Sequence, residues 1–224
     1  MKTHFIILMN IFSFACCFSQ GNINTLYQEY FVKKMTIEAF MKNVDGSPYE
    51  KESFEESNVY LKGNDIPLIF SLRYNNLTDE IEMKDTTNHE YLVVNNNELI
   101  DSIILNNKIY VYLDFYQKEQ LTKGFFVRLL VGKFTLMQRR MRVYVPERKP
   151  TGGFQEYIRP SIQEKSVEYY LIQGKGSPEL LPNTMSGILR FLKNKGIDFK
   201  DHPELKKLRY REEDIINLFE CLNK

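Results

Sequence analysis

The sequence lacks a surplus of either charge, because its 30 basic and 29 acidic residues almost cancel. Nucleic-acid binding needs an excess of cations to replace the counterions of phosphate, so the composition argues against that partner. Cysteine is scarce, with three residues at Cys16, Cys17 and Cys221. Histidine, the usual general base near neutral pH, is equally scarce, at His4, His89 and His202. No apolar run reaches the roughly 20 residues of a membrane-spanning helix, so no transmembrane span is expected in the mature chain. Also absent are a Gly-x-Ser-x-Gly elbow, an internal repeat and a low-complexity tract. Gly174-Lys175-Gly176-Ser177 has neither the spacing nor the following helix of a phosphate loop.

What is present begins at the N-terminus. Lys2 precedes an apolar stretch from Phe5 to Phe14, which gives way to the small residues Ala15, Cys16, Cys17 and Ser19. This is the plan of a cleavable secretory signal over residues 1–19, with cleavage near Ser19 and a mature chain starting at about Gln20. Ser13-Phe14-Ala15 before Cys16 distantly resembles a lipobox. The bulky Phe14 fits it poorly, so lipid anchoring through Cys16 or Cys17 is the alternative and not the expectation. Removal of the leader takes away one lysine and no acid, which leaves a neutral body with Cys221 as its single thiol. No internal disulfide can then form, and the fold must stand on its hydrophobic core.

Over residues 20–148 the pattern predicts antiparallel β-structure. Ile109, Val111, Leu113 and Phe115 alternate with Lys108, Tyr110, Tyr112 and Asp114, the period of a half-buried strand. Asn106-Asn107 joins it to Ile103-Ile104-Leu105 as a tight hairpin, and Gly132-Lys133 suggests a type II′ turn between the run ending at Val131 and a long strand from Phe134 to Val145. Further strands are expected at 59–61, 66–72, 80–83, 91–94 and 99–105. Proline and glycine between Pro146 and Pro160 place a connector at 149–167. Residues 168–224 then predict a strand at Tyr169–Ile172, turned at Gly174–Gly176 toward Leu180, followed by two or three helices. One carries Met185, Ile188, Leu189 and Leu192 at helical spacing, with Asn183 as cap. The last carries Ile215, Leu218, Phe219 and Leu222, with Glu212, Glu213 and Asp214 suited to the positive end of its dipole. A short helix between Asp201 and Leu208 is the third, and the pattern of residues 22–41 fits strand and helix equally. The fold class expected is α+β, mainly antiparallel, as a sandwich, roll or partly open barrel with a small helical C-terminal portion.

Gly46-Ser47-Pro48-Tyr49, Phe54, Leu72-Arg73-Tyr74-Asn75, Asp79-Glu80-Ile81-Glu82-Met83, and the strand of Tyr169 and Tyr170 followed by two helices form a recurrent set. In these the chain resembles small exported proteins of Bacteroidetes-type bacteria that have no assigned activity. The resemblance implies a Gram-negative envelope location, periplasmic or at the outer surface, and brings no catalytic residue. Asp79 reads as a turn residue and Arg73 as a strand-edge partner for a carboxylate.

Candidate chemistry is sparse. Asp85, His89 and Glu90 could gather a metal ion, but their spacing matches no zinc or calcium loop, and a solvated turn is the plainer reading. His202 reads as a helix-entry residue and Cys221 as a small core residue. Neither a cofactor nor a metal is expected. Paired acids occur at Glu55-Glu56, Asp79-Glu80 and Glu212-Glu213, and exposed turns or helix starts account for them. The charge pattern that stands out is Arg139, Arg140 and Arg142, with Arg148 and Lys149 beyond. Alternation puts Met137, Met141, Val143 and Val145 on one face and Gln138, Arg140, Arg142 and Tyr144 on the other. Arg140, Arg142 and Tyr144 are therefore candidates for binding an anionic glycan, a lipid head group or an acidic envelope protein. The plainer reading is a solvated face paired with local acids. The functional expectation is an exported, non-enzymatic binding module. The alternative is an envelope hydrolase that cleaves a glycan or ester with paired carboxylates.

Overall fold

In a computed structural model of the chain, Asn106 and Asn107 adopt φ of 54° and 60°, the left-handed pair of a type I′ turn. They join β6 (Ile100–Leu105) to β7 (Lys108–Gln117), with Leu105 opposite Lys108. Lys118 and Glu119, again at positive φ, turn β7 into β8 (Gln120–Leu130). β8 pairs with β9 (Phe134–Arg139) as the apolar runs predict. The turn between them is not type II′, because Gly132 does not have a positive φ. Glycine is needed there for space: a Cβ would lie 2.5 Å from the Asn223 side chain. That carboxamide accepts from the Phe134 N–H at 2.8 Å and donates to the Phe134 carbonyl at 3.0 Å, tying the C-terminus to the hairpin.

The structure describes residues 31–33, 43–84, 91–94, 97–150, 152, 156–197, 199, 205 and 207–224. The expected leader with Cys16 and Cys17, most of 22–41, the expected turn with Asp85, His89 and Glu90, and His202 lie outside them. The other strands are β1 (Phe31–Lys33), β2 (Glu55–Leu61), β3 (Leu68–Asn75), β4 (Glu80–Lys84), β5 (Tyr91–Val94), β10 (Arg142–Val145), β11 (Ser161–Glu164), β12 (Glu168–Gln173) and β13 (Glu179–Leu180). Eleven of the thirteen strands among the described residues form one antiparallel sheet in the order β1-β5-β4-β3-β2-β6-β7-β8-β9-β12-β13. β10 and β11 make a separate two-stranded sheet. The helices are α1 (Met185–Asn194) and α2 (Glu212–Leu222). The fold is thus α+β and rich in β-structure, and β12 returns from the connector to pair with β9 in the same sheet as the earlier strands.

The large sheet curls into a half-barrel. β3 and β7 are three places apart in the sheet, which in a flat sheet would separate them by roughly 14 Å. Yet the Tyr74 ring from β3 lies 5.1 Å from the Tyr110 ring of β7 and 6.1 Å from Phe125 of β8. The inside of the curl is filled by the chain's own side chains, among them Val59, Leu72, Ile81, Met83, Ile103 and Leu105.

The same face, followed through the register Tyr110, Val127, Gln138 and Tyr169, continues onto β9 and β12 and receives the helices. Met185, Ile188 and Leu192 of α1, with Ile215, Leu218 and Phe219 of α2, pack there against Phe134, Leu136 and Leu171. Both helical spacings therefore mark the buried faces. The cap of α1 is Thr184, one residue after Asn183, and its Oγ1 accepts from the Gly187 N–H at 3.1 Å. Of the stretch between Asp201 and Leu208, the described residues are Leu205, Lys207 and Leu208, and Leu205 is buried under the helices. On the opposite face Phe115, Phe126 and Tyr170 meet edge to face, with centroids 5.0 to 5.7 Å apart.

Candidate binding site at the strand junction

The strand expected from Phe134 to Val145 breaks at Arg140 and Met141. The cause is distant in sequence. Asn76, just past β3, donates from Nδ2 to the Arg140 carbonyl at 3.0 Å, and its own carbonyl accepts from the Arg142 N–H at 2.9 Å. With its N–H on the Pro48 carbonyl at 2.9 Å, Asn76 ties three segments together where the half-barrel nearly closes. β9 stays in the large sheet while β10 leaves to pair with β11.

This break corrects the expectation of one continuous basic face. Gln138 is fully covered, because β9 is central and α2 lies over that side. Its Nε2 donates to Glu212 Oε2 at 2.5 Å. Arg140 is half-buried and belongs to neither strand. It donates to Gln138 Oε1 at 3.0 Å and to Glu212 Oε2 at 2.9 Å, and stands 3.5 Å from Glu164. Glu212 opens α2, where the helix dipole also favours its charge. Arg142 and Tyr144 do share a face, opposite Glu164 and Ile162 of β11. Arg142 donates from Nη1 to the Ser47 carbonyl.

Arg140 and Arg142 meet at a pocket of about 120 Å³ lined also by Glu50, Asn76, Met141 and Glu164. Asn76 is 3% exposed, and its buried Oδ1 has no partner among the described residues. The bond from Nδ2 to the Arg140 carbonyl fixes which way round the carboxamide sits, so the orphan is an acceptor. Glu50 is bound through both oxygens to Lys108, at 2.5 and 2.8 Å. Tyr110 stands near Glu50 and Arg140, and burial first, then the Glu50 charge, keeps its hydroxyl protonated well above the ordinary phenol range.

Tyr144 lies outside that pocket, near Tyr157, which with Asn43, Val44, Asp45, Glu147, Arg159 and Pro160 lines a larger, shallower cleft of about 470 Å³. Tyr144 is 41% exposed and Tyr157 50%, and Val143 and Ile158 are exposed as well. The Tyr157 hydroxyl donates to Glu147 at 2.6 Å, and this bond, with Lys149, holds the Glu147 carboxyl below its usual range. That shift opposes general-acid work, which needs a carboxyl held protonated near neutrality.

The remaining charges build the core. Glu82 is fully buried and accepts from Arg73 at 2.7 Å, from Asn75 at 2.9 Å and from the Tyr49 hydroxyl at 3.1 Å. Arg73 does pair with a carboxylate, but inside the molecule, stacked on Tyr49, Phe54 and Tyr91. Asp79 is a turn residue with φ of 59°, and it also accepts from the Tyr74 hydroxyl and from Arg139, each at 2.5 Å. Arg139 crosses the strand at Gly124, where a Cβ would strike both partners of the ion pair. Glycine inside a strand is the sequence signal for such an approach, whereas Asn76 leaves no local signal at all. Cys221 packs at the edge of the helical core. Among the described residues no three His, Cys, Asp or Glu converge on a metal position, and no helix is long and apolar enough to cross a membrane. Compared with models of protein families, with curated proteins and with solved structures, the chain matches none.

Proposed function

We propose that the chain is an exported, non-enzymatic binding module of the cell envelope, which meets its partner on the β10–β11 sheet. The observation that carries this reading is a pair of exposed tyrosines, Tyr144 on β10 and Tyr157 in the chain leading to β11, which stand close enough to interact beside the 470 Å³ cleft that Tyr157 lines. Aromatic side chains with polar tips suit contact surfaces, since they bury a large area at little entropic cost. Arg142 on the same face and Arg159 in the cleft give it charges able to hold an acidic envelope protein, an anionic glycan or a lipid head group.

The acids that a hydrolase would need have other partners. Asp79 is held by Arg139 and Tyr74, and Glu212 by Arg140 and Gln138. The secretory leader and the resemblance to exported Gram-negative proteins favour the periplasm or the outer surface. In affinity capture from the organism's own envelope fraction, the Tyr144→Ala/Tyr157→Ala variant is expected to lose the partner that the wild type retains, at an unchanged melting temperature. Equal capture by both proteins would exclude this face.

A further inference from the structure

We infer that the Tyr144–Tyr157 face and its cleft bind an acidic glycan, a saccharide chain that carries carboxylates, in preference to an acidic protein or a lipid head group. The inference rests on the reading of this face as the contact surface and names its ligand.

The cleft supplies the discriminating chemistry. Its ionic groups are Asp45, Glu147 and Arg159. The side chains of Arg159 and Asp45 are 70% and 62% exposed and approach to 3.8 Å, which is too far for a hydrogen bond. A guanidinium and a carboxylate thus stand side by side at the surface with donors and acceptors to spare. One hydroxyl serves both, accepting from Arg159 and donating to Asp45. The carboxylate of an acidic protein or the phosphodiester of a lipid can only accept, so it would satisfy Arg159 while Asp45 and Glu147 repel it. Glu147 is held as a carboxylate by the Tyr157 hydroxyl at 2.6 Å and Lys149 at 3.2 Å, and Asn43 adds a carboxamide that both donates and accepts. An acceptor-rich cleft of this kind calls for an occupant rich in hydroxyls.

Two further features extend the site beyond the cleft. Tyr157 lines it and Tyr144 stands nearby, both exposed. The face of an aromatic ring is negative, so it attracts the C–H groups that cover the faces of a pyranose. Arg142 lies two residues from Tyr144 on the same strand face, roughly 7 Å along the strand. Its guanidinium makes one hydrogen bond among the described residues, to the Ser47 carbonyl, and keeps N–H groups for a carboxylate. A linear chain that sets hydroxyls in the cleft, crosses the tyrosines and places an acidic unit at Arg142 uses all three features.

The test is calorimetric titration of the purified full chain with hexagalacturonate, a hyaluronan hexasaccharide, cellohexaose, poly-L-glutamate and phosphatidylglycerol vesicles. The two acidic oligosaccharides are expected to bind saturably, and the other three probes at least about tenfold more weakly. Arg159→Gln and Arg142→Gln are each expected to weaken the acidic oligosaccharides about tenfold. Should either variant fold poorly, the ligand series on the wild type decides alone. Poly-L-glutamate or the vesicles binding as tightly as the acidic oligosaccharides would show a plain anion surface and overturn the inference. Cellohexaose binding as tightly would overturn the role given to the carboxylate. If Tyr144→Ala/Tyr157→Ala loses the captured envelope partner while neither acidic oligosaccharide binds at millimolar concentration, the inference falls and the contact face stands.

Discussion

Asp79→Asn removes one charge from the buried Asp79–Arg139 pair while disturbing little else. Asparagine tolerates the left-handed φ of 59° at this position, and its Oδ1 can still accept from the Tyr74 hydroxyl. What is lost is the counterion of Arg139, whose side chain is 7% exposed against 12% for Asp79. Among the described residues Arg139 Nε has no partner, and the Tyr170 hydroxyl, itself tied to Glu168, is the one other polar group that reaches the guanidinium. Removing one member of a buried pair leaves an uncompensated charge and typically costs about 3 to 5 kcal/mol. Phe115 and Phe126, which cover Arg139, offer only the faces of their rings, while the Tyr170 hydroxyl and Glu168 across the strand soften the loss toward the lower half of that range. Urea unfolding followed by circular dichroism should show the loss as a lower midpoint at constant slope. Arg139→Met should recover part of it in the double variant, since the orphaned charge is then gone. A loss below about 1 kcal/mol would mean that water reaches Arg139, and that the curl of the sheet is not closed at this corner.

Burial first, and neighbouring carboxylates second, push the hydroxyls of Tyr49, Tyr74, Tyr110 and Tyr170 well above their ordinary value of 10.0. Their contribution is complete below about pH 10 and declines above it, because the unfolded chain then releases protons that the folded chain retains; the loss is about 1.4 kcal/mol per pH unit for each tyrosine. Ionisation of all fourteen tyrosines before unfolding in an alkaline titration would contradict this. Phe219→Ala should cost about 3 to 5 kcal/mol, since Phe219 is fully buried on the inner face of α2; an unchanged denaturation midpoint would refute it. Arg140→Gln should cost about 1 to 3 kcal/mol through Glu212, and Arg142→Gln under about 1 kcal/mol, so equal losses in thermal melts would contradict the different roles assigned to them. Intact mass of protein from envelope fractions should give a mature chain starting near Gln20 without lipid; a diacylated species starting at Cys16 or Cys17 would contradict that.

Period and turn chemistry made most of the sheet legible. Asn106-Asn107 announces its turn, because asparagine adopts the left-handed region readily. Lys118-Glu119 makes a turn of the same kind unannounced, since neither residue favours positive φ. The break after Arg139 was hidden for a different reason. Met141 and Val143 continue the alternation across it, and the force that parts the strands comes from Asn76, more than sixty residues earlier. Charge was the other source of misreading. Gln138 and Arg139 look like surface residues in sequence, and they are buried because Glu212 and Asp79 reach them from distant elements. Of the candidate site, the sequence singled out Arg140, Arg142 and Tyr144; the structure places both arginines at the pocket and leaves Tyr144 outside it, exposed near Tyr157. It gave no hint of Asn76 or Tyr157, whose placement depends on long-range pairing.

The central claim is that the β10–β11 face meets a partner in the envelope. A photoreactive phenylalanine analogue placed at Tyr144 or Tyr157, and as a control at Ile66 or Ile69 on an exposed surface elsewhere, tests it inside the cells that make the protein. The account predicts one discrete adduct from positions 144 and 157 and none from 66 and 69; adducts from the control positions alone would contradict it.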